Sequence, residues 1–347
     1  MNSNDIAKIA GVSRSTVSRV VNNYPNVPDE TREKVLKVIR EHNYVPHAPA
    51  RTLAGYKNRI IGLFIIDIVD NKNTIKNRIT KSPYYLEFTS SVIEAASEKG
   101  YKVLVHIIHN AARYDEIREC FCNKTISGGI LIGENSREPV VDKLIDDGYK
   151  VALIDQDVRL YETNSKCIIV NSDNFNGAYN ATKYLINLNH KNIAHITGDL
   201  EKYSAIERIR GYKKALEDFN IPINKELIIN SKFLEDEGYK AAKKLLLKNT
   251  NVTAIFASND KIAIGAIRAI KELGLRIPDD ISVIGFDDIE ECKYLDTPLT
   301  TIKMELAEMA EITVNSLISS IEKDINVSAY YEVPVKLTLR QTCKGLE

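Results

Sequence analysis

Residues 11–21 read GVSRSTVSRVV. Val17, Val20 and Val21 stand at i, i+3 and i+4, so the stretch predicts a short helix with one apolar stripe. Ser13 is placed to cap its start. Gly11 ends a preceding helix, which Asn2 caps with Asp5 as its acidic partner and which runs through Ile6 and Ile9. Two short helices joined by AGVS, with Ala7, Ala10 and Val12 small enough for close packing, make a helix-turn-helix unit. After the turn-rich connector NNYPNVPDE, a third helix is expected from about Asp29 to His42. Val35, Val38 and Ile39 are its buried positions, and Asp29 and Glu30 sit at its positive end.

The second helix carries more polar chemistry than a solvated face needs. Ser13, Arg14, Ser15, Thr16, Ser18 and Arg19 point outward or toward its leading end. Arginine can bond two acceptors of guanine in a major groove, hydroxyls serve bases or phosphates, and the free N–H groups of a helix start attract phosphate. Charge agrees. The 347-residue chain is neutral overall, yet residues 1–59 hold ten Lys/Arg against five Asp/Glu. That excess favours a polyanionic partner for this segment alone. Pro46 and Pro49 then forbid a regular helix through the start of NYVPHAPARTLAGYKNR, which marks a linker over 46–59.

From Ile60 the pattern changes. RIIGLFIIDI is a near-continuous apolar run, as in a strand covered on both faces. Strands YKVLVHII, GGILI, KVALID, CIIVN, NIAHITG, ELIIN, AIFAS and ISVIGFDD follow, with helical stretches between most of them. Such alternation predicts doubly wound parallel sheets, an α/β fold. The strands are too many for one compact sheet, so two lobes are expected, joined near 168–172. Parallel sheets bind ligands beyond the carboxyl ends of their strands. Asp67, Asp155, Asn259, Asp260 and Asp287 fall there, and Arg208 opens a helix in SAIERIRGYKKAL. Carboxylates with one arginine suit a polyhydroxylated ligand.

IAKIAGVSRSTVSRVVNN…VPDETREKVLKVIREHNYVP resembles the headpiece of the lactose/galactose repressor (LacI/GalR) family of bacterial transcription regulators. VNSDNFNGAYNATKYLINLNHKNIAHITG, ASNDKIAIGAIRAIKELGLRIPDDISVIGFDD and PLTTIKMELAEMA are similar to later parts of the same family, so the resemblance spans almost the whole chain. It implies a helix-turn-helix headpiece (1–45), a hinge linker with a short minor-groove helix (46–59), and a two-lobed, periplasmic-binding-protein-like (type I) effector domain. The expected lobes are 60–168 with 300–329, and 169–299 with 330–347. It further implies a homodimer on double-stranded DNA with a near-palindromic operator, controlled by a small molecule, often a sugar. Arg14 and Ser15 match the leading base-reading positions. Thr16, Ser18 and Arg19 match phosphate or base contacts, Asn22 and Tyr44 further contacts or supports, and Leu53 the leucine wedged into the minor groove. Arg208 matches the arginine that clamps the effector, Asp287 the usual carboxylate, and Asp155 and Asn259 cleft positions. With Pro49 in place, the hinge helix is expected to run from there to Leu53, and His47 adds a donor toward phosphate.

Two features depart from the family: the linker, with His47 and Pro49, and the segment before SPYY. DNKNTIKNRITK (70–81) inserts about a dozen residues before SPYY, and is expected to be an exposed loop at the cleft rim. Tyr84 and Tyr85 after it are candidates either to stack on a sugar face or to pack in the core. The helix after Tyr84 and the apolar stretch MELAEMAEITVNSLISSI are expected to supply dimer surface, and no heptad-bearing tail argues for a dimer over a tetramer. The five scattered cysteines read as reduced thiols. HIIH (106–109) lacks a third metal ligand, GDLEKYS lacks the pattern of a phosphate loop, and no nucleophile is paired with a base. No cofactor, metal or catalytic residue is therefore expected. No apolar run or leader resembles a membrane span or signal peptide, so the expected compartment is the cytoplasm.

Overall fold

The computed structural model describes residues 1–21, 24–42, 44, 58–68, 79–133, 138–161, 165–248 and 251–347. At the amino end, α1 (Ser3–Ala10), α2 (Arg14–Val21) and α3 (Asp29–Glu41) enclose a small core of Ile6, Ala7, Ala10, Val17, Val20, Val27, Val35 and Val38. The local signals act as expected. Asn2 accepts from the backbone N–H of Asn4 and Asp5, and the Asp5 carboxylate accepts from Asn2 N at 2.8 Å. Gly11 adopts φ +61°, and Ser13 Oγ accepts from Thr16 N at 3.0 Å. Two positions differ: Ile39 is half-buried at the edge of this core, and Ile9 is exposed. Ile6 and Ala10, four apart, form the inner row with Ala7, and Ile9 falls on its flank.

The first lobe is a six-stranded parallel sheet in the order β11-β5-β4-β3-β1-β2. Its strands are β1 (Ile60–Ile66), β2 (Lys102–Ile108), β3 (Gly128–Ile132), β4 (Val151–Ile154), β5 (Ile168–Ser172) and β11 (Ala329–Val333). One face is covered by α4 (Pro83–Glu98) and α11 (Leu306–Lys323), through Phe88, Val92, Val314 and Leu317. The other is covered by α5 (Tyr114–Cys122) and α6 (Pro139–Asp146), through Ile117, Phe121 and Leu144. The second lobe is a four-stranded parallel sheet, β7-β6-β8-β9. It comprises β6 (Ile193–Ile196), β7 (Ile228–Ile229), β8 (Ala254–Ala257) and β9 (Ser282–Ile284), between α7 (Asn174–Asn187) with α8 (Tyr203–Asp218) and α9 (Glu235–Leu247) with α10 (Asp260–Glu272). A short antiparallel pair, β10 (Thr301–Lys303) with β12 (Lys336–Thr338), completes the fold.

The lobe boundaries differ from the expected ones. β5 pairs with β4 on one side and β11 on the other, so 168–172 and 329–333 both belong to the first lobe. A strand buried along its whole length needs backbone partners on both edges, so the crossover falls just after it, where Asp173 caps α7. β10 lies beside the second lobe, through bridges Ile284–Thr300 and Asp287–Lys303. The apolar face of α11 is also reassigned. Leu306, Met309, Val314, Leu317, Ile318 and Ile321 are buried in this chain's own core against α4 and the sheet. An apolar stripe shows that a face is covered, not by which partner. Leu86 and Ile93 of α4, and Val105 and Ile107 of edge strand β2, are the exposed apolar side chains of this region.

Candidate functional site: a helix face and an inter-lobe cleft

Two places gather the polar residues singled out above. On α2, Val17 and Val20 are buried while Arg14, Ser15, Ser18 and Arg19 are exposed and Thr16 is half-buried. Ser13 Oγ lies 2.6 Å from Ser15 Oγ and 2.8 Å from Thr16 Oγ1, and Arg14 Nε donates to Ser3 Oγ at 3.3 Å. Tyr44 packs on the headpiece core as a support. Asn22, Leu53, His47 and Pro49 lie outside the described residues, as do 70–78 of the insertion. Its end is fixed by Ile79, which is buried in the first lobe's core.

Between the lobes lies a cavity of about 150 Å³, room for roughly ten waters or one small ring. Asp67, Tyr84, Tyr85, Asp155, Arg208, Asn259 and Asp287 line it together, at or just beyond strand ends and helix starts. Arg208 is 3 % exposed, and every nitrogen of its guanidinium meets an acceptor. Nε donates to Asn174 Oδ1 at 2.8 Å and NH1 to Ser258 O at 2.5 Å, with Asp287 Oδ1 at 3.5 Å. Among the described residues NH2 meets only the soft Met304 Sδ, at 3.4 Å, and the centroid of the Phe286 ring lies 3.7 Å from the guanidinium carbon. A ligand oxygen is a better partner than sulfur for that arm.

A hydrogen-bonded chain crosses the cleft floor. Tyr84 Oη donates to Asp155 Oδ2 at 2.9 Å, Asn174 Nδ2 to Asp155 Oδ1 at 3.2 Å, and Arg208 to Asn174. Tyr84 and Asp155 belong to the first lobe, Asn174 and Arg208 to the second. Burial pushes the Asp155 carboxyl above its usual range, against the pull of Ser172 N–H and Arg208. Burial raises Asp287 further, with Arg208 opposing. Asp155 and Asp287 have φ of +52° and +119°. Such backbone is costly for a non-glycine residue and holds these carboxylates at the sheet ends against the local preference.

Asp260 is a correction. It is fully buried and is not a lining residue. Its carboxylate accepts from Thr301 Oγ1 at 2.6 Å and from Ile289 N at 3.0 Å, tying the start of α10 to the strands beside it. Burial raises its carboxyl to about 6. The folded state therefore binds this proton more tightly than the unfolded chain, and the stabilisation is full below about pH 4 and lost as pH rises through about 6. His195 acts in the opposite sense. Stacked on Tyr212 and Phe256, it is lowered to about 4 by burial, so its stabilisation is full above its unfolded pKa and lost as pH falls through about 4. The wild-type curve blends both. The difference between wild type and Asp260→Asn in denaturant unfolding is expected to move in the variant's favour as pH rises from 4 to 7. A pH-independent difference would remove the proton from Asp260.

The sequence reading missed further parts of the cleft wall, Ser82, Asp199, Glu201, Lys202, Ser204, Lys232 and Phe233, and also the buried Asn174 that bonds Asp155 and Arg208. Lys202, ahead of α8, donates to Gly133 O across the cleft, and Lys232 lies 3.6 Å from Asp199. The GDLEKYS segment carried a usable signal, since it follows strand β6 as Asp155 follows β4. Asp288, beside Asp287, faces elsewhere and pairs with Arg340 at 2.6 Å. Among the described residues no group of three His, Cys, Asp or Glu is placed to hold a metal ion, and no helix is long and apolar enough to cross a membrane.

Comparison with known proteins bears on both places. Residues 4–47 match the family model described as bacterial regulatory proteins, lacI family, and residues 182–343 match the periplasmic binding protein-like domain. The HTH-type transcriptional repressor PurR of Histophilus somni (strain 129Pt) is 33% identical over 343 residues, covering 99% of this chain and 98% of the relative. The ribose operon repressor of Haemophilus influenzae is 35% identical over 340 residues, covering 98% and 96%. The crystal structure of the lac repressor dimer bound to operator and the anti-inducer ONPF is similar with a TM-score of 0.83, 27% identity and 98% coverage of each chain. The fold is thus a LacI-type helix-turn-helix joined to a two-lobed periplasmic-binding-protein-like domain, and the chain belongs to the lacI family of bacterial regulatory proteins.

Proposed function

We propose that this protein is a sequence-specific, operator-binding transcriptional repressor whose grip on DNA is set by a sugar or sugar derivative held between its lobes. One observation carries the reading: α2 buries Val17 and Val20 and presents Arg14, Ser15, Ser18 and Arg19 on its exposed face, where a groove could receive them. The cleft supports the ligand class. Asp67, Asp155 and Asp287 offer acceptors to hydroxyls, the guanidinium of Arg208 offers donors, and Phe233 and the tyrosines offer an apolar wall. The carboxylates of Asp155 and Asp287 are tied to protein donors, which suits holding a ligand unchanged rather than turning it over.

Two copies are expected to act together on a near-palindromic duplex in the cytoplasm, with half-sites about one helical turn apart. The exposed Leu86, Ile93, Val105 and Ile107 support a contact between copies on the α4–β2 side of the first lobe. The test is duplex selection from a random pool with the full chain, repeated with a panel of mono- and disaccharides and their phosphates. The expected result is enrichment of one inverted repeat, with at least one sugar changing its retention in either direction. A pool left unenriched would end the DNA reading. Enrichment that no sugar alters would end the sugar reading alone.

A further inference from the structure

The cleft is not the only place where the lobes meet through charge. Beside it, Asp157 and Arg159 of the first lobe face Tyr203, Glu207 and Arg210 of α8 in the second. Arg159 is held by a bidentate pair to Asp157, 2.7 Å for each bond, and its NH2 reaches Glu207 Oε1 at 3.8 Å. Arg210, one helical turn on, pairs with the same Glu207 oxygen. The Glu207 side chain is only 8 % exposed, although Arg159 and Arg210 reach solvent. Tyr203 and Glu332 of β11 complete the cluster, and burial raises the Tyr203 hydroxyl with Glu207, Asp157 and Glu332 adding to the effect.

Helix geometry makes this cluster consequential. Glu207 immediately precedes Arg208, and the first turn of α8 also carries Ser204, which lines the cavity just after Lys202. The first lobe thus holds the start of α8 at two points: Gly133 O accepts from Lys202 on the cleft side, and the Arg159 guanidinium pairs with the Glu207 carboxylate beside it. A nearly buried carboxylate needs cationic partners, and losing one disfavours the arrangement that buries it. When the lobes rotate apart, Arg210 moves with Glu207 on the same helix, whereas Arg159 stays behind.

We propose that Arg159 and Glu207 form an inter-lobe latch that positions the cleft-lining turn of α8, and with it Arg208, against the first lobe. Both are positioning residues, since neither lines the cavity. The latch concerns lobe geometry and holds whichever small molecule the cleft takes.

Hydrogen exchange on the full chain without ligand tests it, with Arg159→Gln, Glu207→Gln, the double variant, and Arg210→Gln as the same-lobe control. Arg159→Gln and Glu207→Gln are each expected to speed exchange of peptides covering 198–208 and 152–157 by about two- to fivefold. The double variant should match either single one, and α10 and the headpiece should be unmoved. Arg210→Gln should leave inter-lobe exchange as in wild type, and 0.5 M salt should raise it in wild type and Arg210→Gln but not in the variants of Arg159 or Glu207. Unchanged exchange in Arg159→Gln would overturn the proposal, as would additive effects or a uniform rise across all peptides. Arg159 is exposed, so its variant keeps the test decisive where Glu207→Gln does not fold.

Discussion

Replacing Arg208 by alanine is expected to abolish the thermal shift that any sugar gives the wild-type protein. The affinity loss should be about 2–4 kcal/mol, roughly 30- to 1,000-fold. The guanidinium is a buried, planar multi-donor group inside the cleft, and its NH2 arm is the part with the weakest protein partner. The variant should also lose stability. Arg208 donates to Asn174, Ser258 O and Asp287 from a site 3 % exposed, and truncating it removes the cation beside the half-buried carboxylates of Asp155 and Asp287. Breaking such a pair costs about 3–5 kcal/mol.

The pH dependence separates this cost from simple loss of packing. Arg208 favours the charged forms of Asp155 and Asp287, so its removal raises both carboxyls beyond their already elevated positions. At neutral pH the variant bears the penalty of burying charge or taking up protons. On acidification both proteins become protonated there, and the deficit should shrink. Urea unfolding at pH 5 and 7.5 measures it. Arg208→Lys keeps the charge without the fork, so it should recover stability more than binding. A sugar shift undiminished in Arg208→Ala would remove the cleft assignment, and a deficit that is flat with pH would remove the electrostatic account.

What the sequence made legible follows the range of the forces involved. The headpiece could be read because its signals are local: a capping residue at Asn2, Gly11 at positive φ, and valines on one side of α2. The parallel strands could be read because burial on both faces demands continuous apolar runs. β10 could not, since three residues, TIK, are defined by an antiparallel partner more than thirty positions away. The same limit governs the cleft. Of the neighbours Asp287 and Asp288, one faces the cavity and the other pairs with Arg340, and nothing local distinguishes them. Asn259 and Asp260 both end a strand, yet Asn259 lines the cleft and Asp260 anchors α10. Lys202, Lys232 and Phe233 sit on loops whose reach depends on how the lobes close. The apolar face of α11 was visible as a face, but that its own sheet and α4 cover it is tertiary information.

Removing residues 1–57 is expected to lower affinity for the selected duplex by at least about 10³-fold, to a weak and sequence-independent remainder. The cut is placed to keep Asn58, which donates to Thr125 O and Lys124 O and whose carbonyl accepts from Ser127 Oγ. The headpiece core shares no residue with the lobe cores, so the lobes should melt as before and keep any sugar response. The point variant Arg14→Ala in the full chain divides the effect. An arginine bonded to a base edge should cost about 1–3 kcal/mol and relax preference at one position of each half-site. An arginine on phosphate would instead weaken every sequence alike and make the salt dependence shallower. Arg14 stands at the leading end of α2 beside the Ser13–Ser15–Thr16 hydroxyl cluster, where a groove-entering helix presents its reading residues, so the first pattern is expected. A truncated chain that still selects the same inverted repeat would show that the lobes, not α2, carry the recognition.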